Sequence, residues 1–448
     1  MSKFAPRTAM KLGVIGIAAT LLLAGCASSS SAGTTSSSAI TTAEITKAMN
    51  TPTTIQLWSW LANIQSEVKL FEQKYPKIKV VITNNGGGSP QYIKLRAAIK
   101  SGQVPDVAQV EYQYIPSFRS DLVNLAPYGA NSLKSQYIST AWQGVSQGDA
   151  VYGMPQDIGP MGNLWRTDIL AKAGVSEPTT WAQFATAAAA IKQKTGACIT
   201  NIPSGDPGQI TGLLQQAGAT MFSYTGGSKV GIYLDSPKAK QVMNYWNGLV
   251  KAGYVSTDSD FNTAWYAGFT NGKYAGWLTA AWGPLFLEGA APTTSGKWQA
   301  GPLPQWSSGQ NLSGDWGGSS YAVIKGSKHE IAAYELAKFI TNDSASSLLL
   351  ATKQSEFPPL KTTLANTEFS GLKDPFFQGE EVNKEFSKIA PTVNGNVEWP
   401  PFMDYVYSSF NNTLGAALAN KTDLVTGLEA WQTAVVTYAK QQGFTVTQ

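Results

Sequence analysis

Between Thr53 and Val110 strand-type and helix-type hydrophobic periods alternate, and nothing else constrains the fold of this 448-residue chain as tightly. Ile55, Leu57, Trp58 and Trp60 make a short β-type run after Pro52. Val68, Phe71 and Tyr75 recur at helical spacing until Pro76 stops them. Ile78, Val80 and Ile82 alternate with Lys77 and Lys79 as a second strand, and Asn84 to Ser89 form a glycine-rich loop. Tyr92, Leu95 and Ile99 form a helical stripe closed by Gly102, and Val107 to Val110 read as a third strand. This βαβαβ order predicts an α/β fold with a largely parallel sheet. Later helices carry their own signals. Thr180 precedes the stripe Trp181, Phe184, Ala188 and Ile191; Ser236-Pro237 opens Val242, Tyr245 and Leu249; Ser327 with Glu330 reads as a capping box. Leu424, Leu428, Trp431, Val435 and Tyr438 predict an amphipathic helix near the end. No internal repeat at a fixed period is visible.

Length alone allows two to four units at roughly 100–200 residues each. Hydrophobic residues are 43% of the chain, with 14 Trp, 18 Tyr and 17 Phe, enough for more than one core, which excludes global disorder. Beyond the N-terminus no run reaches the roughly 18–20 apolar residues of a spanning helix, which excludes a multi-spanning membrane protein. Charged residues are only 14%, against about 25% in a typical chain. The polar surface must come from Ser, Thr, Asn, Gln and Gly, a style common in secreted proteins.

The N-terminus explains part of the charge. Lys3, Arg7 and Lys11 form a basic segment ahead of the 12-residue apolar run Leu12 to Leu23, too short to span and suited to a signal peptide. Leu23-Ala24-Gly25-Cys26 follows and resembles a bacterial lipobox, in which the cysteine is acylated and becomes the mature N-terminus. Residues 1–25 are therefore expected to be a lipoprotein signal peptide, and 26–52, rich in Ser and Thr, a flexible tether to a membrane anchor at Cys26. Without the leader's three cations the chain carries 30 basic and 29 acidic residues with no basic block, which argues against nucleic acid as a partner. Cys198 is then the lone thiol, so no disulfide framework and no cysteine metal cluster is expected.

Ligands of parallel α/β sheets bind beyond the carboxyl ends of the strands. Those positions hold Trp58, Ser59 and Trp60, then Asn84, Asn85 and Gly86, then Glu111, Tyr112, Gln113 and Tyr114, and later Gln156 and Asp157 after Val151 to Pro155. They are rings and neutral or acidic hydrogen-bonding groups with few cations. Rings stack on the C–H faces of a sugar, and amides and carboxylates pair with its hydroxyls. A phosphate or carboxylate ligand would call for Arg or Lys instead.

The ordered motifs also resemble a family. Thr54 to Trp60, Phe71 to Val80, Lys94-Leu95 through Pro105-Asp106-Val107, Tyr152 to Asp157, Trp165 to Leu170, Phe269 to Trp277 with Trp282, and Trp316-Gly317-Gly318 follow one another as in the solute-binding proteins of sugar-importing ABC transporters, of the maltodextrin and multiple-sugar type. The resemblance covers nearly all of 53–448; the loops 201–228 and 290–311 match nothing in it. It implies an α/β, two-lobed, type II periplasmic-binding-protein-like fold, each lobe a largely parallel sheet flanked by helices, with 53–157 and 317–361 as lobe I and 158–316 and 362–448 as lobe II. The chain would cross between lobes near Asp157, near Asp315 and around Phe357 to Lys361. A monomeric clamp would close on a mono- or oligosaccharide and deliver it to membrane permease subunits, without chemistry and without cofactor or metal.

Position by position, the resemblance implies ligand-binding roles for Trp58, Ser59, Trp60, Asn85, Glu111, Tyr112 and Asp157 on the first lobe and crossover, and for Asn163, Trp165, Trp282 and Trp399 on the second. Trp316, Gly317 and Gly318 would lie at the second crossover, where glycine permits close backbone approach. Any one of these tryptophans can equally be core, as Trp181, Trp246 and Trp431 on helical stripes are read to be. Glu111 can equally be a solvated loop carboxylate, and Asp157 can equally orient the hinge through backbone hydrogen bonds.

Enzymatic readings find little support. Gly144-Val145-Ser146-Gln147-Gly148 fits the nucleophile-elbow pattern but lacks the strand before and the helix after. The single histidine, His329, argues against histidine-based catalysis. Asp258, Asp260 and Asn262 open like an EF-hand, but Thr263 replaces its glycine and Phe269 its bidentate glutamate. A glycoside hydrolase with Glu111 and Asp157 as its acid pair stays open as an alternative, as does a binder of a non-sugar solute such as a polyamine.

Overall fold

The computed structural model describes residues 39–395 and 397–448. The leader, Cys26 and residues 27–38 of the expected tether lie outside the described residues. The tether expectation fails where it can be compared: Thr42–Met49 is a helix. Glu44 N donates to Thr41 Oγ1 at 3.3 Å and Thr41 N donates to Glu44 Oε2 at 2.8 Å, a reciprocal cap. Met49 is buried, and the helix packs on Glu330–Asn342. Composition alone read this stretch as low complexity; a cap and one apolar anchor are enough to dock it.

Eight strands carry the two larger sheets: β1 (Thr53–Trp58), β2 (Ile78–Thr83), β3 (Val107–Glu111), β4 (Met154–Pro155), β5 (Met161–Arg166), β6 (Gly276–Ala280), β7 (Trp298–Pro302) and β8 (Ser319–Val323). The first sheet has the order β2-β1-β3-β8-β4. β1 pairs parallel with β2 and β3, as the βαβαβ alternation predicts, and the helices Gln65–Lys74 and Ser89–Ser101 make the crossovers. β8 returns more than 200 residues later and lies antiparallel to β3. The second larger sheet, β6-β5-β7, is antiparallel throughout, which departs from the expectation of a parallel sheet in each lobe. Hydrophobic periodicity says that a strand is buried, not which way its neighbour runs; all residues of β5 and β6 are buried whatever their direction. Parallel pairing reappears between Thr200–Asn201 and Val255–Ser256.

Helix signals mostly hold. Thr180 accepts from Gln183 N, and Trp181, Phe184, Ala188 and Ile191 are buried on Trp181–Thr195. Asp423 caps Leu424–Gln441, whose buried face includes Leu428, Trp431 and Val435. The capping box at Ser327 does not form: Ser327 Oγ donates to Asp106 Oδ1 at 2.5 Å, and the Tyr128 hydroxyl donates to Glu330 at 2.5 Å. Both side chains find tertiary partners instead of each other.

Three segments lie side by side where the chain is expected to cross between lobes. Ile158 N donates to Phe357 O at 3.0 Å, Trp316 N to Gly159 O at 2.8 Å, and Met161 N to Gly314 O at 2.9 Å. The approach is close enough to require glycine. A Cβ on Gly159 would lie 2.0 Å from Trp316 O, and one on Gly314 1.9 Å from Gly212 O.

Candidate functional site

A buried polar chain runs from the end of β1 to the hinge. Ser59 Oγ donates to Gln109 Oε1 at 2.8 Å, Gln109 Nε2 donates to Ser319 Oγ at 3.1 Å, and Ser319 Oγ donates to Asp157 Oδ1. Ser319 N adds a second bond to Asp157 Oδ1 at 2.9 Å. Asp157 is therefore held by the chain itself. Burial raises its carboxyl above the ordinary range, and burial with the nearby Asp157 charge holds Glu356 well above it. Asp315 sits on the next hinge segment and accepts from Gly159 N at 2.9 Å; burial pushes its carboxyl up to about 7.

Beside this hinge lies a cavity of about 650 Å³. Tyr112, Trp316, Gly317 and Trp399, four of the residues singled out from sequence, line it together. Tyr112 is fixed by its hydroxyl, which donates to Asp157 O at 2.8 Å, and by two glycines: a Cβ on Gly144 or Gly318 would meet its ring at 2.7 Å. Gly317 and Gly318 have φ of +99° and +92°, so this crossover needs glycine for conformation as well. Trp316 reaches the N-terminal end of Pro207–Gln216, where only Gly208 leaves room for its indole. Trp282 stands behind it: Nε1 donates to Trp316 O at 2.8 Å, and the rings meet edge-on at 4.9 Å.

The other expected ligand residues lie elsewhere. Ser59 is buried in the hinge network. Trp165 is 1% exposed and packs on Phe184, and Asn163 is enclosed within β5, where both amide atoms lack a partner. Both sit inside an antiparallel sheet covered on both faces, so neither lines the cavity. Trp58 is half-buried at the core edge, and Trp60 lies under Gly87. Asn85 Oδ1 accepts from Lys94 Nζ at 3.0 Å. Glu111 is half-buried: its Oε2 accepts from the Tyr92 hydroxyl at 2.8 Å and its Oε1 from Gln113 Nε2 at 3.2 Å. Burial pushes its carboxyl up to about 7, with Asp157 and Asp206 adding to the effect.

Several cavity residues carry no sequence signal. Gln143, Gln147 and Gln215 come from helix ends and a hairpin, Tyr224 and Glu398 from loops, and Tyr407 from Met403–Phe410. Tyr112 and Gln113 directly follow the end of β3. The elbow-like motif also finds its reason. Val145 ends a helix, Ser146 Oγ bonds back to Trp142 O at 2.7 Å, and Gly148, at φ +56°, turns the hairpin to Ala150–Val151. The EF-hand-like residues serve folding: Asp258 pairs with Lys273 at 2.5 Å, and Asn262 caps Thr263–Thr270. Among the described residues no group of three or more His, Cys, Asp or Glu is placed to hold a metal.

Residues 58–346 match the model of the family described as bacterial extracellular solute-binding protein. The chain belongs to this family. An arabinooligosaccharide-binding protein of Halalkalibacterium halodurans is 22% identical to this solute-binding protein, over 67% of the chain and 69% of the relative. A lactose-binding protein of Rhizobium radiobacter is 25% identical over 83% and 88%. In structure, the chain is similar to an ABC-transporter-associated binding protein of B. animalis subsp. lactis solved with β-1,6-galactobiose. That likeness has a TM-score of 0.77 and 28% identity, and covers 89% of this chain and 100% of the other. It is also similar to the galacto-N-biose/lacto-N-biose I-binding protein of a Bifidobacterium longum ABC transporter, solved with lacto-N-biose, at TM-score 0.76 and 25% identity over 88% and 98%. The solute-binding protein therefore has the two-lobed, hinged fold expected of it, and the proteins it resembles are binders rather than enzymes. No helix among the described residues is long and apolar enough to cross a membrane.

Proposed function

We propose that this solute-binding protein captures a mono- or oligosaccharide between its lobes and hands it to the permease of an ABC importer. One observation carries this reading: the hinge-side cavity presents tryptophan and tyrosine rings together with glutamine amides, the pairing that sugar faces and hydroxyls require. The relatives whose names specify a ligand bind oligosaccharides or disaccharides, which supports it. Lobe I is assigned 53–157 and 317–361, lobe II 158–316 and 362–448. Residues 1–25 are removed, and acylated Cys26 holds the protein, a monomer, on the outer face of the membrane. The protein does no chemistry on its ligand: Asp157, one of the two carboxylates an acid pair would need, is bound to Ser319 in the hinge.

The test is thermal unfolding against neutral and acidic saccharides, with polyamines and amino acids as controls, and recovery of the sugar afterwards. A ligand at about 100 times its dissociation constant adds about 2.7 kcal/mol. A rise with saccharides that are recovered intact supports the reading. A rise with polyamine alone, or shortened saccharides, overturns it.

A further inference from the structure

The cavity wall holds one cation. Arg119 lies against two rings, Tyr152 and Tyr224, with its guanidinium carbon 5.7 Å from each centroid. No carboxylate among the described residues lies within ion-pair distance of it, and its Nε is buried without a hydrogen-bond partner. Glu398, on the same wall, is committed elsewhere: Ser223 Oγ and Tyr224 N donate to its Oε2 at 3.0 Å each. Desolvation lowers the Arg119 pKa, with Tyr224 and Tyr152 opposing it only in part. A guanidinium presents its N–H donors in one plane, a fork that matches a carboxylate in two parallel bonds. Sugar hydroxyls can accept from the same donors but cannot neutralise the charge.

We propose that Arg119 is a specificity residue of this cavity and that the preferred saccharide carries a carboxylate, as a uronic acid unit does. The inference rests on the carbohydrate reading above and narrows it from sugars in general to acidic ones. The strand-end residues suggested a site with few cations; Arg119 lies eight residues beyond the end of β3 and reaches the cavity only through the fold.

Calorimetric titration of the purified chain with galacturonate and glucuronate, free and as short oligosaccharides, beside the matching neutral sugars, tests it. The acidic ligand should bind about tenfold or more tightly than its neutral counterpart, and the preference should shrink as salt rises. Arg119→Gln should abolish the preference by weakening the acidic ligand about tenfold more than the neutral one, and Arg119→Lys should retain part of the preference because charge remains but the fork is lost. The comparison of ligands on the unaltered protein needs no variant to fold. Equal or tighter binding of the neutral sugar overturns the proposal and leaves the carbohydrate reading standing, as does an equal loss of both ligands in Arg119→Gln. Binding of neither class, with a response to a control solute, overturns both.

Discussion

The hinge and the cavity wall are both rich in polar groups, yet they use them in opposite ways. At the hinge, side chains are bound to the chain itself: Asp157 to Ser319, Asp315 to Gly159 N, and Ser59 to Gln109. On the wall, Gln215 and Glu398 are likewise bound to the chain, but rings, Gln143, Gln147 and the Arg119 guanidinium face a cavity, and Arg119 Nε is buried without a partner. A polar group satisfied internally fixes geometry; one left facing a cavity is available to a ligand. By this difference, mutations at the hinge should register in folding and mutations on the wall in binding.

The largest expected effect tests the hinge. Gly314→Ala places a Cβ where backbone oxygen already stands, and should cost more than about 4 kcal/mol or prevent folding. Urea unfolding measures it, and a midpoint near that of the parent would mean the hinge backbone yields easily. Two tryptophans sharpen the contrast next. Trp165→Ala, in the core, should lose about 3–5 kcal/mol of stability. Trp399→Ala, on the wall, should lose less stability and weaken sugar affinity about tenfold or more. If affinity falls equally in both, measured by titration at a temperature where each is folded, the division between core and wall fails.

A smaller effect comes from the raised carboxyls. Glu111 and Asp315 are held at about 7 when folded, against about 4 in an unfolded chain. Between those values the folded state binds more protons than the unfolded state, so their contribution makes stability fall as pH rises from about 4 to 7 and level off above. The melting temperature should be higher at pH 5 than at pH 8, and Asp315→Asn, which keeps an acceptor for Gly159 N, should flatten the slope. A slope unchanged by that variant removes Asp315 as its source. The smallest effect belongs to Ser146→Ala: its hydroxyl bonds to Trp142 O at the end of its own helix, so stability should change by less than about 0.5 kcal/mol. A loss of any saccharide-cleaving activity in that variant would revive the nucleophile-elbow reading.

Much of the architecture was legible because it is local. The β1–β3 alternation, the cap at Thr180 and the stripe of Leu424–Gln441 each depend on residues within a few positions of one another. The helix at Thr42–Met49 was missed because its capping box sits in a Ser- and Thr-rich stretch that composition reads as unstructured. Tyr112, Trp316, Gly317 and Trp399, legible from strand ends and motif order, line the cavity, while Ser59, Asn163 and Trp165 meet the same criteria and turn inward.

The sequence by itself determined the alternating elements and the family, since periodicity, caps and motif order are written in neighbouring residues. Tertiary structure alone decided the antiparallel pairing of β5 with β6 and β7, the commitment of Asp157 to Ser319, and the meeting of Arg119 with Tyr224 across about a hundred residues of chain. A side chain's partner depends on which distant segment packs against it, and no local pattern encodes that choice.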